Sequence, residues 1–286
     1  MHQKSFEKIN KSIVFSWKQK DFDALLKSCE FDDEVKITLK YLTDKNAKIL
    51  EAGCGLGRVV KYLYDRGYKN IHGIELDRES VLFLNQNFSE LNVVQGDILK
   101  LPYKKESFDV VLSYGVIEHF SDGPLAPMKA MYDVLKPGGL AIVTVPSFNI
   151  LRRISYNLSL LDIRKWDFIR RAFGKKKLYR NKKIFSYYID PQYGSFFEYR
   201  FTPKQFEFIC KTSDFEIVES LPIAHIDGLF NSFCRPLVKF KNWEFEVSFW
   251  GKVLNKVFGM IPFLHNHMHA CVLRKPKKNN RPLLKP

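Results

Sequence analysis

No stretch of this 286-residue sequence approaches the roughly 20 consecutive apolar residues that a bilayer-spanning helix needs, so a transmembrane anchor is not expected. The N-terminus is polar and lacks the apolar segment of a secretory signal. Cysteine is scarce: Cys29, Cys54, Cys210, Cys234 and Cys271 are scattered, and none forms a C-x-x-C pair. That argues against structural zinc, and the odd number and wide spacing suit a reducing compartment. The expected location is cytoplasmic, with peripheral membrane contact left open. Apolar residues are not lacking. At 45% hydrophobic and 27% charged, the chain can bury one sizeable core with an added subdomain.

Positive charge and aromatic side chains are in excess. Aromatics make up 15% of the chain, and the formal net charge is +15. Residues 1–146 hold 20 basic and 20 acidic side chains, whereas residues 147–286 hold 26 and 11. The second half therefore carries the whole excess. That asymmetry points to an anionic partner there: a carboxylate, a phosphate, a membrane surface or a nucleic acid.

The most informative segment is Ile49-Leu50-Glu51-Ala52-Gly53-Cys54-Gly55-Leu56-Gly57-Arg58. An apolar run ends in a carboxylate and meets three glycines at every second position. This reads as a buried strand, a tight turn and a helix start. Glycine lets bare backbone approach a ligand, and the helix N–H groups point at the same place. The dinucleotide fingerprint G-x-G-x-x-G is not matched, because the third glycine arrives one position early. A second strand, Ile71 to Glu75, puts an acid roughly twenty residues past the glycines, where it can accept ribose hydroxyls. Leu91 to Val94 reads as a third strand, followed by Gln95-Gly96-Asp97-Ile98. Ser107 to Ser113 reads as a fourth, running into Tyr114-Gly115-Val116-Ile117-Glu118-His119-Phe120. Val134-Leu135-Lys136-Pro137-Gly138-Gly139 ends a helix and turns into a fifth strand, Leu140 to Val145.

The pattern E-x-G-x-G-x-G, with these features in this order, resembles class I S-adenosylmethionine-dependent methyltransferases. The similarity is to the branch that includes ubiquinone and menaquinone C-methylating enzymes and many small-molecule methyltransferases. It is specific from about residue 47 to 146 and weaker at 196–222 and 266–274. It implies S-adenosylmethionine as methyl donor and S-adenosylhomocysteine as product. It implies a cofactor set of Glu51, Gly53, Cys54, Gly55, Gly57, Arg58, Glu75, Leu76, Asp97, Ile98 and Ser113. In the family the acid at Asp97 binds the adenine amino group, and the next residue packs on the ring. Cys54 also reads as a small side chain filling a tight turn.

A sulfonium methyl is already activated, so the protein mainly has to position the nucleophile. A base is needed only where that nucleophile must lose a proton. The candidate is His119, whose residue type titrates near neutrality; the alternative is that it orients its loop. Some relatives, including small-RNA 2′-O-methyltransferases, bind a divalent ion through E-x-x-E-H at this place. Gly115-Val116-Ile117-Glu118-His119 lacks the first carboxylate, and no metal is expected. His265, His267 and His269 alternate near the end of the core, but no carboxylate completes a ligand set with them. Glu198, Tyr199 and Arg200 are candidates to face the acceptor.

Alternating strands and helices predict an α/β fold with a parallel, doubly wound sheet. The resemblance implies a Rossmann-like, seven-stranded, mostly parallel sheet with an antiparallel last strand, helices on both faces and inserted lid segments. The expected organisation is an N-terminal helical segment at 1–46, a cofactor-binding core at 47–146 and a lid insertion at 147–200. The C-terminal part of the core follows at 201–274, with a second insertion at about 222–266, and then a basic tail at 275–286. Within 1–46, Phe6, Ile9, Ile13 and Trp17 form an apolar stripe, and Asp32 to Leu42 reads as a second helix. Thr202, Pro203 and Gln205 have the spacing of a capping box, opening a helix to about Thr212. Ser213 to Leu221 and His267 to Leu273 are the remaining strands. Residues 147–200 carry no clean period and are dense in aromatic and basic residues, and the second insertion is again aromatic.

Three functions fit these residues. The first is methyl transfer to a small, anionic or lipid-linked acceptor. The second is methylation of a nucleic acid, because Arg164 to Lys183 interleaves basic and aromatic residues as single-strand binders do. No RNA-binding module and no N-P-P-Y base-flipping motif accompanies it. The third is a non-catalytic scaffold that binds the cofactor.

Overall fold

The computed structural model describes residues 22–161, 172, 185–190, 194–232, 236–241 and 244–277. The stripe of Phe6, Ile9, Ile13 and Trp17, and nearly all of the basic run from Arg164 to Lys183, lie outside them. Two short helices come first, α1 (Phe22–Ser28) and α2 (Asp33–Tyr41). Asp33 and Glu34 fill the first turn of α2, where the helix dipole favours carboxylates.

Strand and helix then alternate. β1 (Ile49–Ala52) leads to α3 (Arg58–Asp65), β2 (Ile71–Glu75) to α4 (Arg78–Asn87), and β3 (Asn92–Gln95) to β4 (Phe108–Tyr114). After α5 (Leu125–Val134), β5 (Leu135–Pro146) completes the parallel part. All four residues of β1 are buried, because helices cover both faces of the sheet. On one face Ile49, Val110 and Leu112 join α1 to α4 through Leu25, Val35, Val60 and Leu84. On the other, Leu50, Val111 and Val143 meet Met128 and Met131 of α5 and Phe206 of a later helix. Removing a buried side chain of that size costs about 2–5 kcal/mol, so either face alone is worth a large share of the net stability.

After β5 come α6 (Ile150–Leu161), an antiparallel hairpin of β6 (Phe185–Asp190) and β7 (Gly194–Tyr199), and α7 (Pro203–Thr212). The capping box at Thr202 and Gln205 forms as its spacing predicts. β8 (Glu216–Ile223) is followed by α8 (His225–Ser232), a second hairpin of β9 (Val238–Lys241) and β10 (Glu244–Val247), and α9 (Phe249–Gly259). β11 (Met268–Arg274) ends the sheet, whose order is β3-β2-β1-β4-β5-β11-β8. β11 runs antiparallel to both neighbours, and all other pairs are parallel. This is the seven-stranded arrangement that the resemblance implies.

Several boundaries differ from expectation. β5 begins at Leu135 rather than Leu140, because Leu135 already pairs with Phe108 before an irregularity resets the register to Val110–Leu140. β8 begins at Glu216 rather than Ser213, since Ser213 closes α7 by donating to Ile209 O. Lys275, expected to open the tail, is buried instead. Its ammonium donates to Tyr132 O at 2.9 Å and Leu135 O at 2.8 Å, the orphan carbonyls at the end of α5. Gly228 lets α8 press against the segment before β11: a Cβ there would sit 1.5 Å from His265 O.

Candidate active site

The strand order reverses between β1 and β4, and ligands bind open α/β sheets at the carboxyl ends of strands beside such a reversal. β1 ends there in the glycine turn. Gly53, Gly55 and Gly57 have φ of 82°, 54° and 68°, which side chains with a Cβ rarely adopt. A Cβ on Gly53 would lie 2.7 Å from Val116 Cγ2, across the reversal. Gly57 caps α3, so the first helical N–H groups face the same turn. Cys54 is buried, its Sγ 2.9 Å from where a Cβ on Gly73 would be, which is the packing role its size suggests.

Glu75 ends β2 and shapes the turn. Its Oε2 accepts from Gly55 N at 2.7 Å, while Oε1 accepts from Leu76 N and Asp77 N at 2.8 and 2.9 Å. Burial raises its pKa, against the pull of these backbone donors. Leu76 is exposed beside it. Asp97, past β3, accepts from Leu99 N and starts a short 3-10 turn whose first residue, Ile98, is buried. Ser113 is buried in β4, its Oγ without a partner.

Among the described residues, two carboxyl oxygens near the turn are also buried without partners, Glu51 Oε2 and Glu118 Oε2. Burial pushes Glu51 up to about 8, although the Arg58 guanidinium and the Val60 N–H pull the other way. Burial, with Glu198 adding to it, pushes Glu118 well above the carboxylate range. Unsatisfied buried groups of this kind are costly, and a ligand amine or hydroxyl supplies what they lack. The glycine turn, the orphaned Glu51 oxygen and the acids at the ends of β2 and β3 thus fit the amino-acid end and ribose of S-adenosylmethionine.

Arg58 is positioned differently from the other ten. Its guanidinium pairs with Asp32, lies 3.7 Å from Glu34 and donates to Ser28 Oγ at 3.2 Å. It thereby ties α1 and α2 to the start of α3. Glu34 is pushed up to about 7 by burial and by Asp32, against Arg58. The Tyr114–Thr38 hydrogen bond joins α2 to β4. Asp32 and Glu34 were not singled out from sequence; acids that open a helix look alike whether solvated or paired.

His119 follows β4 in a 3-10 turn, with Nε2 3.9 Å from Glu118 Oε1. Tyr199 Oη donates to Ser121 O at 3.0 Å and holds β7 against this loop. Glu198 and Arg200 pair at 3.1 Å. Beyond them sits a polar cluster that sequence reasoning missed. Arg152 of α6 donates to Ser147 O at 2.6 Å, to His267 O at 3.3 Å and to His267 Nδ1 at 2.6 Å. His267 Nε2 is 3.6 Å from Asp227 of α8, which pairs with Asn231. Burial and the two arginines, Arg152 and Arg200, drive the His267 pKa well down, so its Nδ1 acts as an acceptor. Burial and Arg200 lower Arg152 to about 10. Among the described residues, no carboxylate lies within ion-pair distance of Arg152. Only the arginine–aromatic density of residues 147–200 hinted at such a cluster.

The three alternating histidines do not share a strand face. β11 begins only at Met268, so His265 and His267 precede it. His265 bonds Asn255, and His269 contacts Ser220 Oγ at 2.8 Å. Among the described residues, no group of three or more side chains could hold a metal.

Residues 50–143 match a family model described as "Methyltransferase domain". A probable S-adenosylmethionine-dependent methyltransferase of Mycolicibacterium smegmatis is 30% identical over 99 residues, 35% of this chain and 38% of that protein. A phosphoethanolamine N-methyltransferase of Plasmodium falciparum is 29% identical over 118 residues, 38% of this chain and 44% of that one. The chain thus spans less than half the length of these curated relatives. A solved S-adenosylmethionine-dependent methyltransferase of Methanosarcina mazei shares the fold with a TM-score of 0.56 at 17% identity, over 85% of this chain and 98% of that one. Residues 50–143, set in this sheet, are therefore a class I S-adenosylmethionine-dependent methyltransferase domain.

Proposed function

We propose that the protein transfers a methyl group from S-adenosylmethionine to a small acceptor bearing an anionic group. The observation that carries this reading is the placement of an unpartnered carboxyl oxygen and a partly buried arginine without an ion-pair carboxylate along one edge of the sheet. At the glycine turn, Glu51 offers a buried oxygen with no partner among the described residues. Farther along, Arg152 offers a guanidinium that, among the described residues, donates to two carbonyls and an imidazole. Glu118, Glu198 and Arg200 lie between them.

S-adenosylmethionine supplies a methyl group already activated on sulfur. What this chain does is hold and orient. Glu51 takes the ligand ammonium, Glu75 the ribose hydroxyls and Asp97 the adenine amino group, with Ile98 against the ring. The bare backbone of Gly53 and Gly55 permits close approach, and Leu76 and Ser113 complete the lining. Arg58 acts through Asp32 and Glu34, holding α1 and α2 over the turn. Arg152 and Arg200 attract the acceptor's phosphate or carboxylate, since an anion relieves the repulsion between two partly buried cations. His119 Nε2 accepts a proton where the acceptor nucleophile carries one.

The test is calorimetric titration of cofactor-stripped protein with S-adenosylhomocysteine, followed by methyl incorporation into phosphorylated and carboxylated small amines. Micromolar binding and turnover of an anionic amine are expected, with Arg152→Met raising KM at unchanged S-adenosylhomocysteine affinity. Methylation of RNA oligonucleotides with a steep salt dependence would overturn the small-acceptor reading. A folded protein that does not bind S-adenosylhomocysteine would overturn the enzyme reading.

A further inference from the structure

α9 leaves most of its large apolar side chains exposed. Its inward side mixes small, polar and partly buried apolar residues, with Phe258 against the His265 ring. Gly251 is buried, and a Cβ there would come 2.7 Å from Leu237 O. Asn255 bonds His265 at 2.9 Å. Its outward side is apolar: Phe249 is 71% exposed, Trp250 67%, Val257 53%, Met260 79% and Ile261 51%, with Val253 at 38%. At about 100° per residue Phe249, Trp250, Val253 and Val257 fall within roughly one-third of the helix circumference, and Met260 and Ile261 follow directly after its last turn. They form one continuous stripe rather than scattered exposures, and a stripe of that kind marks an interaction surface.

The charges around the stripe are of one sign. Lys252 and Lys256 are exposed along its flank, and no Asp or Glu occurs from Ser248 to Lys277. On the adjoining hairpin, Glu244 and Glu246 stand opposite Lys241 and Lys239 across the strands, and Glu244 accepts from Lys27 at 2.7 Å. A second copy of the chain would bring the same lysine-flanked face. An anionic lipid surface complements both features: it takes the aromatic and aliphatic side chains below the headgroups and pairs the lysines with lipid phosphates. We propose that α9 is a membrane-docking helix, with Phe249, Trp250, Val253, Val257, Met260 and Ile261 entering an anionic lipid surface.

Docking through α9 does not depend on the acceptor. Joined to the acceptor reading above, it has a consequence. Leu151 N donates to Leu264 O, just beyond α9, and Arg152 is the next residue. Docking therefore brings the Arg152 side of the site towards the lipid headgroups.

The experiment is flotation of the full-length protein with vesicles of phosphatidylcholine alone and with vesicles of three parts phosphatidylcholine to one part phosphatidylglycerol. Binding to the anionic vesicles is expected, with Trp250 fluorescence shifted to the blue relative to a Trp250→Phe control. Trp250→Glu with Val257→Glu should abolish it. Lys252→Gln with Lys256→Gln should weaken it roughly thirtyfold, about fivefold per lysine. S-adenosylhomocysteine affinity, measured on every variant, reports a folded core and keeps failure of docking distinct from failure of the enzyme reading. No flotation, or equal flotation with neutral vesicles, overturns the proposal. So does a concentration-dependent dimer that Trp250→Glu dissolves without any vesicle binding.

Discussion

On the proposed placement of the ligand ammonium, Glu51 links ligand affinity to pH. Held at about 8 instead of the usual 4.5, its carboxyl costs the empty fold about 5 kcal/mol to ionise. The folded protein holds this proton more tightly than the unfolded chain. Raising the pH from about 4.5 towards 8 therefore weakens the empty fold, and the effect levels off above 8, where both states are ionised. A ligand ammonium at the orphaned oxygen reverses the preference and expels the proton. Affinity for S-adenosylhomocysteine should then rise by up to about tenfold per pH unit between 6 and 8. It should level off above 8, where the empty site is already ionised, and fall only once the ligand's own α-amino group deprotonates at higher pH. Calorimetry at pH 7 in phosphate and in Tris should count about nine-tenths of a proton released per ligand bound. Glu51→Gln removes the titration. It should flatten the pH profile, weaken binding at pH 8 by about 1.5–3 kcal/mol and raise the melting temperature of the empty protein at pH 8 by several degrees. A flat wild-type profile with no proton released, or a Gln variant that melts lower at pH 8, would refute the reasoning.

Other substitutions probe the remaining geometry. Gly53→Ala forces a Cβ onto Val116 at positive φ and should cost about 1–3 kcal/mol, with loss of ligand binding by calorimetry. Glu75→Ala leaves three backbone N–H groups without their acceptor, and its chemical-denaturation midpoint should fall by the equivalent of about 2–4 kcal/mol. Gly228→Ala meets the His265 carbonyl and should destabilise by more than about 3 kcal/mol, whereas Gly123→Ala, in open space, should cost at most about 1–3 kcal/mol from its positive φ. Lys275→Met strips the end of α5 of its donor and should cost about 1–3 kcal/mol in denaturant unfolding.

The parallel half of the sheet was legible because local signals agreed there. Apolar runs of strand length alternated with helices, three glycines marked the turn after β1 that needs positive φ, and carboxylates fell at strand ends. Strand edges moved by a few residues where pairing, not composition, decides them. Leu135 reads as a helix terminus in sequence yet finds Phe108 beside it. The polar cluster was illegible for a different reason. Ser147, Arg152, Asp227 and His267 come from segments up to 120 residues apart, and nothing near any one of them predicts the others. α9 was hidden because its apolar stripe faces outwards, so its periodicity carries no information about which side is buried.

The position of β11 has a consequence for biosynthesis. Among the described residues β8 has no neighbour in the sheet except β11, and β11 is the last of the seven strands of that sheet to leave the ribosome. Until residues 268–274 emerge, β5 presents an open edge and β8, with α7 attached, has nowhere to dock. The glycine turn and its acids can form early, from residues within the first 120. The polar cluster of Arg152 and His267 waits for the last strand of the sheet, so an abandoned translation product would retain the glycine turn without that cluster. Such a fragment exposes the backbone of a central strand, which makes it a template for aggregation and a target for proteolysis rather than a slow enzyme.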